Sequence, residues 1–357
     1  MPNDQGTPPP QMMPPMGGMP QMGGMPQMGG GNPMMQMMQM MQMMMGGQAQ
    51  QPMVDPSAMP FTPMGAMPQD GDSGLDSDII RPATFTELIR NQEAIKTGSV
   101  LDSLCLTSDG QNALGGIPQG CTIAFVGPPG RGKTRTALAA LALTAQSGKK
   151  VALVVAEEGF HDSEGSGRDD LCSRLVKIGM AATGTDEAAF RVILENFYVL
   201  ESQYHKGQTW DDFISKYRYL VEKAEIDFVV IDSLNMLDPT KSRTADNLSA
   251  LKTYNHEQGV TCMCIGQIKD SGLPVGGEAL MHTADAVFLI EEMGLTSKDM
   301  AELWGGKYRD RIAVIRAVKS VTTPTFGSPV RVGQAPDTGI LSVHEGHPDA
   351  FPLPAPK

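Results

Sequence analysis

The segment Gly127-Pro128-Pro129-Gly130-Arg131-Gly132-Lys133-Thr134 constrains this chain more than any other. It is a glycine, four residues and then Gly-Lys-Thr, set between the apolar run Cys121–Val126 and the Ala- and Leu-rich run Thr134–Gln146. A loop of this pattern between a buried strand and a helix wraps a polyphosphate in main-chain N–H groups. Glycines are required where a Cβ would block the backbone's approach. The helix starting at Lys133 turns the positive end of its dipole toward the anion. The Lys133 ammonium then reaches the β- and γ-phosphates, and the Thr134 hydroxyl ligates Mg²⁺. ATP with Mg²⁺ is the predicted ligand of Gly127 to Thr134, and Arg135 follows on the first turn of the helix.

Around this loop the chain alternates between strand and helix patterns. Strands are predicted at Cys121–Val126, Val151–Ala156, Phe197–Leu200, Phe228–Ile231, Thr261–Ile265, Ala286–Ile290, Ile312–Val318 and Val330–Val332. Helices are predicted at Thr84–Lys96, Thr134–Gln146, Arg168–Ile178, Trp210–Ala224 and Thr244–Gln258. Such alternation implies an α/β fold, a mainly parallel sheet with helices on both faces. Ligands of such sheets bind outside the carboxyl ends of the strands, where two acidic positions stand. The run Phe228–Ile231 ends in Asp232-Ser233, which places Asp232 to help hold Mg²⁺. The run Val151–Ala156 ends in Glu157-Glu158. A carboxylate there faces the γ-phosphate and can orient the attacking water; Glu157 is the first candidate and Glu158 the alternative.

Composition divides the 357 residues unevenly. Residues 1–74 hold 21 of the 27 methionines and no Lys or Arg, and four aspartates are their only charged side chains. Gly-Gly-Met-Pro-Gln-Met occurs twice between Gly17 and Met28, and a Met-Met-Gln run follows to about Met45. Gly and Pro break every regular period there, so 1–74 reads as a disordered tail, with its adaptable methionines available to a protein partner. Residues 75–120 form an entry segment, 121–344 the nucleotide-binding core, and 345–357 a loose Pro-rich tail. Removing the tail's four charges from the total of −12 leaves −8 on the remainder. That balance argues against a broad electrostatic footprint for duplex DNA. Five scattered cysteines fit a reduced, cytoplasmic setting, and no apolar run reaches the length of a membrane helix.

With these residues in view, the chain resembles the RecA superfamily, and within it the RadA and KaiC-like branch. The resemblance runs from about Thr97 to Val332. Its lead-in is Thr97-Gly98, Leu101-Asp102 and Gly115-Gly116-Ile117-Pro118-Gln119-Gly120, followed by the phosphate loop, Glu157-Glu158 and Ile231-Asp232-Ser233. It implies a RecA-like core that hydrolyses ATP between subunits of a homo-oligomeric ring or filament. It also implies that Gln267, ending the strand after Asp232, senses the γ-phosphate. Lys319, in Arg316-Ala317-Val318-Lys319, would reach a neighbouring subunit's nucleotide; where RadA has an Arg two positions later, this chain has Val321. The four-cysteine zinc module and the protease-like domain of RadA proteins are not expected from these 357 residues. Single-stranded DNA in recombination or repair is the implied substrate, contacted by loops Pro239–Asn247, with Lys241 and Arg243, and Lys269–Gly277, with Lys269. A KaiC-like signalling ATPase that never meets DNA and a hexameric replicative helicase motor are the two alternatives. Cys262-Met263-Cys264 and His344-Glu345-Gly346-His347 read as structural rather than metal-binding, the first because it alternates within a buried strand.

Overall fold

A computed structural model describes residues 92–161, 169–202, 209–237, 243–269 and 271–356. All of them lie in one compact unit, Pro82–Lys357. The expected N-terminal tail, residues 84–91 of the first expected helix, and Lys241 fall outside the described residues.

The described chain opens with a two-residue ladder in which β1 (Ala94–Ile95) pairs antiparallel with β2 (Ile117–Pro118). The expected helix Thr84–Lys96 therefore ends in strand instead, because pairing with a distant segment overrides local propensity. The central sheet contains β3 (Thr122–Gly127), β4 (Val151–Val155), β5 (Phe197–Glu201), β6 (Phe228–Asp232), β7 (Thr261–Gln267), β8 (Ala286–Gly294), β9 (Arg311–Ser320), β10 (Val330–Gln334) and β11 (Leu341–Val343). Its spatial order is β11-β10-β9-β8-β3-β7-β6-β4-β5. From β8 to β5 every neighbouring pair is parallel. The strands β9, β10 and β11 add an antiparallel flank.

The parallel strands are joined by helices, as parallel neighbours require. These are α1 (Lys133–Gln146), α2 (Leu171–Thr183), α3 (Glu187–Ile193), α4 (Trp210–Ala224), α5 (Thr244–Gln258) and α6 (Gly277–Thr283); α7 (Lys298–Leu303) lies between β8 and β9. Every residue of β3 is buried, as expected for a strand covered on both faces. Its alternating side chains feed two cores. Ile123 and Phe125 belong to one core with Leu138 and Leu141 of α1 and Leu175 of α2. Ala124 and Val126 belong to a second core with Phe213 and Tyr217 of α4 and Leu248 of α5. Helix α4 keeps the bounds its sequence predicts because Thr209 and Asp212 close a capping box, and Phe213, Tyr217 and Val221 recur every fourth residue on the buried face.

The sequence leaves the segment after Gly346 loose, but it is tied down. His347 accepts from the Arg331 N–H at 3.2 Å, the Phe351 ring lies 5.8 Å from Trp304, and the Ala113 N–H reaches the Ala355 carbonyl at 2.8 Å. Among the described residues, no helix is long and apolar enough to cross a membrane.

Candidate active site

Strand register collects the predicted residues at one edge of the sheet. Gly127 lies opposite Gln267, Val155 opposite Asp232, and Asp232 opposite Ile265, so the carboxyl ends of β3, β7, β6 and β4 finish side by side. The cleft beyond them has a volume of about 540 Å³.

Its floor is the loop from Gly127 to Thr134. A Cβ on Gly127 would fall 2.7 Å from the Ile290 Cβ, and one on Gly132 would fall 2.5 Å from the Gly339 carbonyl oxygen. Gly132 also has φ +80, in the left-handed region. Both positions thus exclude a side chain. Gly132 caps α1 without a side-chain bond, which leaves the first N–H groups of the helix directed at the cleft. The Lys133 ammonium is buried and donates to the carbonyls of Gly127 at 2.9 Å and Pro128 at 2.7 Å. Burial pushes its pKa down, while Asp232 and Glu157 pull it back up. Arg131 pairs with Glu292 of β8, and Arg135 donates to the Thr338 carbonyl at 3.0 Å.

The carboxylates sit opposite. Thr134 Oγ1 donates to Asp232 Oδ2 at 2.6 Å. Burial raises the Asp232 carboxyl to about 6; the Thr134 bond lowers it, the Glu157 charge raises it, and Lys133 lowers it. Glu157 accepts from Ser233 Oγ at 3.2 Å and from Gln267 Nε2 at 3.3 and 3.4 Å. Its neighbour Glu158 is engaged elsewhere, with both oxygens 2.7 Å from one Arg174 nitrogen. Adjacent acids that the sequence cannot separate are thus separated by their partners: Glu157 faces the cleft among neutral donors, and Glu158 is neutralised.

Lys319 is not brought to this cluster. It reaches the carbonyl end of α6 in its own chain, donating to His282 O at 2.5 Å and Ala284 O at 2.7 Å, as a cation at a helix C-terminus should. Sequence reasoning missed Arg174 and Gln334, which both line the cleft, and passed over Ser233 although it quoted the Asp-Ser pair. Cys262 and Cys264 lie buried with their sulfurs 3.7 Å apart, and among the described residues no cluster of three or more His, Cys, Asp or Glu stands ready for a metal.

Thr134 and Asp232 nevertheless suit Mg²⁺. They offer a hydroxyl and a carboxylate in contact at the phosphate loop, and the carboxylate is one that burial leaves short of positive charge. Magnesium is commonly bound through few protein oxygens plus substrate phosphates. The raised Asp232 value has a consequence for metal-free protein. A folded-state pKa above the unfolded one means that the folded chain keeps the extra proton. Stability is then lost as pH rises from about 4 to about 6, and stays lower above that. Asp232→Asn retains an acceptor for Thr134 and removes the charge. It should stabilise metal-free protein at pH 7.5 by about 3 kcal/mol, with little gain at pH 4, as read by urea unfolding in chelator.

A family model described as ATPase: KaiC matches residues 95–316. The DNA repair and recombination protein RadB of Methanosphaera stadtmanae is 29% identical over 194 residues, covering 50% of this chain and 75% of that protein. The crystal structure of a KaiC-like protein from the hyperthermophilic archaeon Pyrococcus horikoshii superposes with a TM-score of 0.50 at 17% identity, covering 71% of this chain and 99% of the other. That likeness concerns the fold.

Proposed function

The chain belongs to the KaiC family of ATPases, within the RecA superfamily, and from that membership we propose that it hydrolyses ATP between subunits of a ring or filament and couples hydrolysis to single-stranded DNA in repair or recombination. The N–H groups of the phosphate loop and the Lys133 ammonium hold the β- and γ-phosphates. Glu157, steadied by Ser233 and Gln267, orients a water for in-line attack and accepts its proton as the bond from the γ-phosphorus to the ADP oxygen breaks. Thr134 and Asp232 would hold Mg²⁺, which when bound would supply charge neutralisation to the phosphates. Lys319 would serve a neighbouring copy by leaving the α6 carbonyls it now caps.

One observation carries the coupling. Gln267 bonds Glu157 through its side chain, and its own carbonyl receives the Val275 N–H at 2.9 Å, closing the base of the loop that holds Lys269. A change at the γ-phosphate that moves Gln267 therefore moves the root of that loop. The loop turns tightly, Gly272 N–H to Lys269 O at 2.9 Å, and Lys269 is exposed. The similarity to a DNA repair and recombination protein supports DNA as what it meets.

Hydrolysis measured with and without single-stranded DNA tests this. Stimulation is expected, weakening steeply as salt rises, since backbone phosphates dominate such contacts. Unchanged hydrolysis, with no binding of single strands at low salt, would reject the DNA reading and leave a nucleotide-driven signalling ATPase.

A further inference from the structure

The hairpin of β10 and β11 lies beyond the matched residues 95–316, yet it is built onto the phosphate loop. Gln334, the last residue of β10, donates from Nε2 to the Gly130 carbonyl at 2.6 Å. The turn that follows puts the Thr338 carbonyl on Arg135 and leaves no room between Gly339 and Gly132 for a Cβ. The Leu341 N–H then reaches Thr136 Oγ1 at 3.0 Å. Four successive points of the hairpin thus touch the loop and the first turn of α1.

We propose that Gln334 is a positioning residue of the nucleotide site, holding the Gly130–Arg131 peptide so that the Arg131 N–H faces the phosphates. A peptide unit is planar, and in its trans form the C=O and N–H point to opposite sides. Fixing the Gly130 oxygen on Gln334 therefore fixes the direction of the next N–H. Gly130 has φ +72 and no side chain, so without an outside partner this peptide is among the freest in the loop. The Arg131 side chain braces the same peptide from its other end through Glu292. A loop pre-set in this way binds phosphate without first ordering its own backbone. The inference rests on the ATP reading above and adds to it a part of the site supplied by the C-terminal hairpin.

The test uses the full chain and two variants, with ADP and ATP as probes. Gln334→Met keeps the length of the side chain and removes the donor. ADP affinity and KM for ATP should worsen by about tenfold, while kcat at saturating ATP stays within about twofold, because the lost interaction serves ground and transition states alike. Gln334→Glu places an acceptor against the Gly130 oxygen and should weaken ADP further at pH 7.5. Relative to wild type at each pH, its affinity should recover toward pH 5, as the introduced carboxyl gains a proton and can donate again. ADP affinity in Gln334→Met equal to that of wild type would overturn the proposal. So would a Gln334→Glu defect that ignores pH, or a drop in nucleotide-free melting temperature large enough to account for the whole loss. Wild type that fails to bind ADP would instead sink the nucleotide reading itself, which keeps the two failures distinct.

Discussion

Replacing Lys133 by alanine should weaken ATP binding by roughly a hundredfold or more and remove measurable hydrolysis, without lowering the stability of the empty protein. Its ammonium contacts the carbonyls of Gly127 and Pro128, which are neutral acceptors, so a phosphate oxygen offers it a much stronger partner. Two charge-assisted hydrogen bonds of about 1.5 to 3 kcal/mol each account for a change of that size in the dissociation constant. The stability side runs the other way. Burial lowers the Lys133 pKa, so the folded protein holds this charge at a cost, and its contribution becomes less unfavourable as pH rises and the amine loses its proton. A residue kept against stability is kept for binding. Titration with a fluorescent ATP analogue and thermal melting of the same two proteins test both halves. Equal affinity in wild type and Lys133→Ala would remove the basis for the ATP reading, and a large fall in melting temperature would show that the ammonium serves the fold instead.

What could be read beforehand follows from where the determining interactions lie. Strands β3, β4, β6 and β7 were legible because burial on both faces writes them as unbroken apolar runs. The phosphate loop was legible because its glycines have no substitute, a Cβ on Gly127 or Gly132 colliding with Ile290 or Gly339. Strands β9 and β10 were found, but their direction was not, since orientation depends on the length of the connection rather than on the strand's own residues. Short helices escaped notice: α6 opens on Gly277, and α3 has only one fully buried side chain, Phe190. The C-terminal segment was misread from its prolines, because what anchors it is a pair of rings, His347 and Phe351, against Trp304 far upstream. Glu157 and Glu158 are told apart by their partners, Ser233 and Gln267 for the first and Arg174 for the second, which are remote in sequence. Gln334 reaches Gly130 across 204 positions, and no spacing in the sequence announces such a contact.

The division between the two adjacent acids also supplies the sharpest test of the chemistry. Glu157→Gln is expected to lower kcat by about 10² to 10⁴ while leaving ADP affinity within a few fold. The substituted amide has the same shape and can still accept the Ser233 hydroxyl, so the cleft should keep its form. What it lacks is the charge proposed to orient a water and take its proton. Glu158→Gln should cost far less in turnover, since that carboxylate already spends both oxygens on Arg174. Its loss would be felt in the seating of α2 rather than at the reacting phosphorus, and should appear as a shift in melting temperature. Steady-state hydrolysis and ADP binding measured on both variants decide the matter. If Glu158→Gln abolished turnover and Glu157→Gln did not, the Arg174 pair would be a resting arrangement that opens when nucleotide binds. The catalytic carboxylate would then be the one the empty site keeps neutralised, and the bonds from Gln267 and Ser233 to Glu157 would belong to the sensing of phosphate alone.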